Sequence, residues 1–309
     1  MNLICGVDVC ADWLDAWTGG EYCRFENTLA GIEALLGFCR GHAVELVAME
    51  ATGGYERLAF GRLWAEGMGC AVVNPRAVRQ FAEAMGYLEK TDRLDAAVIA
   101  GYAGAKRIAA QPPASEVQRQ LAALVTRLRQ LTALRTMQKN QRRLVEDVDA
   151  LASIDEMLAL IGRQIRGFEA GIITVIAGDP LWTRLDAAFR SIKGVADRTV
   201  ARVLAELPEI GTLSNKAAAK LAGVAPLARD SGKRAGKRAV RGGRSGVRSV
   251  LFVVAEVVRR HDPDFAAFHR RLTLAGKAKK VIRIALAHKL LVRLNAKARD
   301  VRNQSQCPA

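Results

Sequence analysis

The chain has 309 residues, half of them hydrophobic and a quarter charged, enough to bury a core and to divide into two domains. It opens on LICGVDV without a basic leader and nowhere runs to about 18 consecutive apolar residues, which predicts a soluble cytoplasmic protein and no membrane partner. Six cysteines (Cys5, Cys10, Cys23, Cys39, Cys70 and Cys307) form no C-x-x-C pair, which argues against a zinc site or a disulfide framework. The net charge of +16 is confined to one stretch: from Arg229 onward there are 21 Lys and Arg against 5 Asp and Glu, while the rest balances. Such confinement points to a polyanion, and the scarcity of aromatic anchors there favours nucleic acid over a membrane surface.

Residues 3–9 alternate and are β-rich, and two further short strands, 15–18 and 21–25, flank a Gly19-Gly20 turn. Leu29, Ile32, Leu35, Leu36 and Cys39 then fall at helical spacing, VELVAME (44–50) reads as a buried strand, and 58–64 as helix. A strand at 70–74 ends at Pro75, with helices expected over 75–87 and, capped by Thr91, over 91–110. A meander followed by alternating strands and helices implies a mixed sheet flanked by helices, so an α/β domain is expected over 1–111. Pro112-Pro113 marks its boundary.

Beyond it, Val117, Leu121, Leu124, Leu128 and Leu131, then Ile154, Leu158, Ile161, Ile165, Phe168 and Ile172, form a narrow apolar stripe. This predicts long coiled-coil helices over 115–177, as one helix or a hairpin, and through them a homo-oligomer, a dimer or tetramer. An all-α basic domain is expected over 180–300, and 301–309 reads as a frayed tail.

Asp8 lies at the end of the first strand and Glu50 at the end of VELVAME, so both cap strands expected side by side. In KTDRLDA (90–96), Asp92 and Asp95 sit three apart on the first turn of a helix and face one way. Four hard oxygen donors converging on one point suit metal-assisted phosphoryl transfer with two Mg²⁺ ions. Singly, each also fits a solvated turn or a helix cap. Asp12 and Asp15 are read as surface acids.

SIKGVADRTVARVLAEL (191–207) has the pattern of a helix-hairpin-helix, whose Gly194 turn could offer backbone N–H groups to a phosphate, with Lys193 beside it; two core helices joined by a Gly give the same string. In LAGVAPLARDSGKRAGK (221–237) a single hydroxyl, Ser231, stands in a Gly-flanked loop among Arg229, Lys233, Arg234, Lys237 and Arg238, followed by Arg241 and Arg244. These cations could hold a scissile phosphate beside the serine, or bind backbone nonspecifically while Ser231 caps a turn.

GVDV, VAMEATGGYE, VVNP and KTDRLDA, in that order, together with Gly223, Pro226, Ser231 and Gly232, resemble the DEDD-type insertion-sequence transposases, the family numbered one hundred and ten, which includes pilin-gene inverting recombinases. The resemblance spans both ends of the chain. It implies an RNase H-like fold of the RuvC kind in front, a metal-binding tetrad of Asp8, Glu50, Asp92 and Asp95, and Ser231 as nucleophile forming a covalent phosphoserine with DNA. It also implies double-stranded element-end and target DNA as substrate and a structured guide (bridge) RNA as partner. One departure is local: Ala11-Asp12 stands where family members often carry a basic residue. Two rivals remain at this point, a Holliday-junction-resolving nuclease that uses water, and a non-enzymatic architectural DNA-binding coiled-coil protein. Because tetrad and serine lie far apart in sequence, the composite site is open to assembly from two subunits.

Overall fold

The computed structural model describes residues 3–306 except Leu88, Lys90, Arg229, 233–235 and Lys237, with the backbone alone for Ser305 and Gln306. The chain divides into two units, Met1–Ala114 and Ser115–Ala309.

The first unit is built on a five-stranded mixed sheet ordered β3-β2-β1-β4-β5. Strands β1 (Ile4–Val9), β2 (Trp13–Thr18) and β3 (Glu21–Glu26) form an antiparallel meander, while β4 (Leu46–Glu50) and β5 (Gly69–Val73) run parallel to β1. Gly19 and Gly20, both at positive φ, make the first hairpin turn, a conformation glycine adopts without strain. Parallel neighbours need crossovers, supplied by α1 (Leu29–Gly41) and α2 (Glu56–Ala65). Val7, Val9, Leu14, Ala16, Val47 and Met49 point to one face and pack with apolar residues of α1 and α2. The alternate residues meet α3 (Pro75–Ala84) and α4 (Asp92–Lys106), where Ala48 and Val73 pack with Val98, Ile99 and Ala103. A Cβ on Gly6 would press into the Ala96 carbonyl oxygen and the Ala100 nitrogen, so glycine lets α4 lie directly on β1. This arrangement fits an RNase H-like α/β fold.

The second unit is all-α. Its helices are α5 (Glu116–Arg142), α6 (Val148–Ala177), α7 (Pro180–Arg190), α8 (Asp197–Glu206), α9 (Asn215–Leu221), α10 (Ser245–His261), α11 (Pro263–Leu274) and α12 (Lys279–Gln306). The apolar stripe folds back on itself: α5 and α6 form a hairpin in which Leu121, Val125, Leu128 and Leu131 share one core with Ile161, Ile165, Ile172 and Ile176. Of the two arrangements expected for the stripe, the hairpin is the one present, and Leu128 packs within its own chain. Beyond Leu131 and before Ile161 no described residue is buried, and Leu134, Met137, Leu144, Val148, Met157 and Leu160 are exposed. The expected tail is helical to Gln306; Val301 is buried, and Arg302 donates to the carbonyls of Pro208 and Ile210. Gly194 fills a packing role, since a Cβ there would come within 3.0 Å of the Val258 backbone of α10.

Candidate active site

Register decides which acids meet. Val7 pairs with Met49 in the β1–β4 ladder, so the next residues, Asp8 one short of the end of β1 and Glu50 at the end of β4, stand side by side, opposite in facing to the Val7 and Met49 core. Across the other edge of β1, Asp8 is paired with Asp15, and Asp15 in turn with Arg24 of β3. One transverse row therefore reads Arg24, Asp15, Asp8, Glu50 on the face that α4 covers. Thr91 caps α4 by accepting from the Leu94 N–H at 3.3 Å, which sets Asp92 and Asp95 in its first turn. Burial pushes the Asp8 carboxyl up from the usual range, and the negative charges of Asp95, Asp92 and Asp15 push it further. Asp8, Asp92 and Asp95 therefore share a field.

Sequence reasoning missed two members of the row. Asp15, read as a surface acid, is only 4% exposed. It accepts from the Tyr22 hydroxyl at 2.5 Å and from Arg24 Nε and Nη2 at 2.8 and 3.2 Å. The same Nη2 donates to Asp92 at 2.6 Å, tying β3 to α4. Strand β2 begins at Trp13, so Leu14 and Ala16 take the α1/α2 side and Asp15 must face the other. Both faces of this sheet are covered, and alternation alone does not say which is wet.

The turns behind the two strand-end acids are braced. Glu56 Oε2 accepts from the Thr52 N–H, the Thr52 hydroxyl and the Gly54 N–H at 3.3, 3.2 and 2.9 Å, closing the turn after Glu50. Asn27 Nδ2 donates to the carbonyls of Cys10 and Tyr55, joining the segments that follow Asp8 and Glu50.

Within the helical unit Ser231 is exposed on the 224–243 loop. Three contacts close that loop below it. Gly223 and Gly243 cross so closely that a Cβ on either would strike the other segment, Leu227 bridges Ala239, and Asp230 pairs with Arg238 at 2.5 and 2.9 Å. The Arg238 guanidinium, with the Gly236 N–H, holds the Asp230 carboxyl below the usual range. Ser231 is thus carried by an ordered neck.

Two family models match the chain: a DEDD-type transposase model over residues 18–145 and the Transposase IS116/IS110/IS902 family over 186–270, together more than half of it. Pilin gene-inverting proteins of Moraxella bovis and Moraxella lacunata are each 28% identical over 308 residues, covering 93% of this chain and 92% of theirs. The chain belongs to the IS110-type transposase family. As a transposase-recombinase it is an enzyme acting on DNA. Glu50, Asp92 and Asp95 fall inside the first matched span, Asp8 and Asp15 before it, and Ser231 inside the second.

Family membership suggests divalent-metal use, and the transposase carboxylates suit it in donor chemistry: they are all hard oxygens, and burial together with mutual repulsion already raises Asp8. Among the described residues no three His, Cys, Asp or Glu side chains stand close enough to form a ready-made cage, and one of the four, Asp92, is engaged by Arg24. Of the expected nucleic-acid contacts, Arg229, Lys233, Arg234 and Lys237 lie outside the described residues, while Lys193 and Arg241 are exposed. Arg238 is paired with Asp230, and Arg244 is bound to Glu209 at 2.6 Å through both terminal nitrogens and to the Glu206 carbonyl. Burial pushes Glu209 up, but the Arg244 hydrogen bonds, a backbone N–H and the Arg244 charge together hold the carboxyl below its usual range. No helix formed by the described residues is long and apolar enough to cross a membrane.

Proposed function

We propose that the transposase carries out strand exchange at a metal centre held by Asp8, Glu50, Asp92 and Asp95, with Ser231 as the nucleophile. The observation that carries this reading is the strand-end pair Asp8 and Glu50 on the face covered by the first turn of α4. Two divalent ions, Mg²⁺ in the cell, would supply Lewis acidity to the phosphate and stabilise the leaving oxygen. Burial and the charges of Asp95, Asp92 and Asp15 make the Asp8 carboxylate costly to hold charged, and a bound cation would relieve that cost. Ser231 Oγ attacks the phosphorus; the Oγ–P bond forms as a backbone P–O bond breaks, the serine hydroxyl proton is lost, and the departing sugar oxygen gains one. The phosphoserine keeps the phosphodiester's energy for rejoining, which attack by water would discard.

Lys193, Arg241 and the basic residues around Ser231 would hold double-stranded DNA, and a structured guide RNA would select its sequence. The exposed apolar residues on the outer half of the α5–α6 hairpin support self-association as a dimer or tetramer. To test the chemistry, the protein is incubated with DNA from the flanks of its own gene, the RNA transcribed beside it, and Mg²⁺, then denatured. Ser231→Ala should lose both the DNA-linked protein and cleavage while still binding DNA. Nicking at the wild-type rate by Ser231→Ala would make water the nucleophile and return the junction-nuclease reading.

A further inference from the structure

Asp15 and Arg24 take no part in the chemistry described so far, yet they occupy the same row as Asp8 and Glu50. A buried carboxylate beside a second one is a poor stability device, because an apolar residue at Asp15 would remove both its desolvation and its repulsion of Asp8. What Asp15 does provide is a fixed anchor. It takes Nε and Nη2 of Arg24, with Tyr22 completing its hydrogen bonds, and Arg24 lies 5.7 Å from the Trp13 ring centroid. The guanidinium remains 42% exposed at its side chain and reaches Asp92. Among the described residues its Nη1 donates to no acceptor.

We propose that Arg24 receives a non-bridging oxygen of the DNA phosphate at the carboxylate site, with Asp15 as its positioning residue. This rests on the metal-centre reading above. A phosphodiester approaching a row of carboxylates is repelled, and a planar guanidinium, charged at every working pH and held by a buried acid, answers that repulsion without reorganising. Tyr22 and Asp15 fix the Nε side, leaving the outer nitrogens for the phosphate. The Asp92 contact ends when Asp92 turns to a metal.

The test uses Arg24→Gln, Arg24→Lys, Asp15→Asn and the Arg24→Gln/Asp15→Asn pair in the full chain. Rearrangement of a plasmid bearing this gene with its own flanking DNA is scored at matched protein level. The purified chains are titrated with Mn²⁺ alone and with duplex DNA from the same flank. Arg24→Gln should slow rearrangement about 100-fold, the cost of losing one preorganised donor at developing charge. Its Mn²⁺ and duplex affinities should match wild type, because the duplex is held chiefly elsewhere. Arg24→Lys should recover part of the rate, Asp15→Asn should fall in the same direction, and the pair should be no worse than Arg24→Gln alone. Wild-type rearrangement by Arg24→Gln overturns the proposal. A rate loss matched by an equal loss of Mn²⁺ affinity also overturns it, since Arg24 would then only place Asp92. Asp8→Asn serves as the control: if it rearranges DNA and binds Mn²⁺ as wild type does, the metal-centre reading fails on its own account.

Discussion

In the sheet unit, acids that look ordinary along the chain are gathered by strand register into one row, whereas in the helical unit, which carries the whole positive excess, many cations are spent inside the fold. Arg283 donates to the Phe252 carbonyl and lies over its ring, Arg299 donates to Leu213, Arg302 to Pro208 and Ile210, and Arg248 to Gly242. Arg293 clamps Asp262 and Asp264 at 2.6 and 2.8 Å. Burial even lowers the proton affinity of Arg302. A charge count therefore overstates what the helical unit offers to DNA and understates what the sheet unit concentrates. Availability is set by backbone carbonyls and register, not by composition.

The largest effect should come from separating α4 from the row. Gly6→Val puts atoms where Ala96 and Ala100 lie, so it should abolish strand exchange and destabilise the sheet unit by about 1–3 kcal/mol or more, read as a fall in Tm. Leu128→Ala should cost about 2–5 kcal/mol by opening a cavity in the chain's own core, with the loss independent of protein concentration. A Tm that recovers at high concentration would instead make Leu128 an intersubunit contact.

The contrast among cations can be sharpened in one experiment. Arg293→Met leaves Asp262, whose side chain is 15% exposed, without its cationic partner, and should cost about 1–3 kcal/mol while the salt dependence of DNA binding stays the same. Lys277, Lys279 and Lys280 are exposed at the α11–α12 turn. Changing all three to Gln should leave Tm unchanged and, if each meets a phosphate, lower the salt slope of duplex binding by about 3. Equal effects of the two variants on the slope would erase the distinction between structural and available cations.

The smallest effect is a pH dependence. Asp8 binds its proton more tightly folded than unfolded, so the folded state holds more protons above the ordinary Asp range and stability falls as pH rises through it. Without metal, Asp8→Asn should therefore melt higher than wild type at neutral pH. The gap should close near pH 3, below the ordinary Asp pKa of about 3.9. A gap that persists in acid would mean that Asp8 is not repelled as described.

Much of the sheet was legible because its strands are short and β-rich, with Gly or Pro at several of their ends, and Asp8 and Glu50 stood out because they lie at or next to the ends of such strands. Asp15 was not: a period of two places alternate residues on opposite faces but does not say that both faces are covered. The stripe from Leu121 to Ile176 was visible, but a heptad spacing is the same whether the partner helix belongs to another chain or follows a short turn. The neck beneath Ser231 depends on Asp230 meeting Arg238 and on Gly223 meeting Gly243, contacts between residues whose spacing carries no periodic signal.

The proposed metal centre joins Asp8 and Glu50 of the row to Asp92 and Asp95 in the first turn of α4. Anomalous diffraction from crystals of the full chain grown with Mn²⁺ tests it most directly. The expected result is a peak in contact with Asp8 and at least two of Glu50, Asp92 and Asp95, absent in Asp8→Asn crystals. Peaks only elsewhere on the protein, or the same peak in Asp8→Asn, would contradict it.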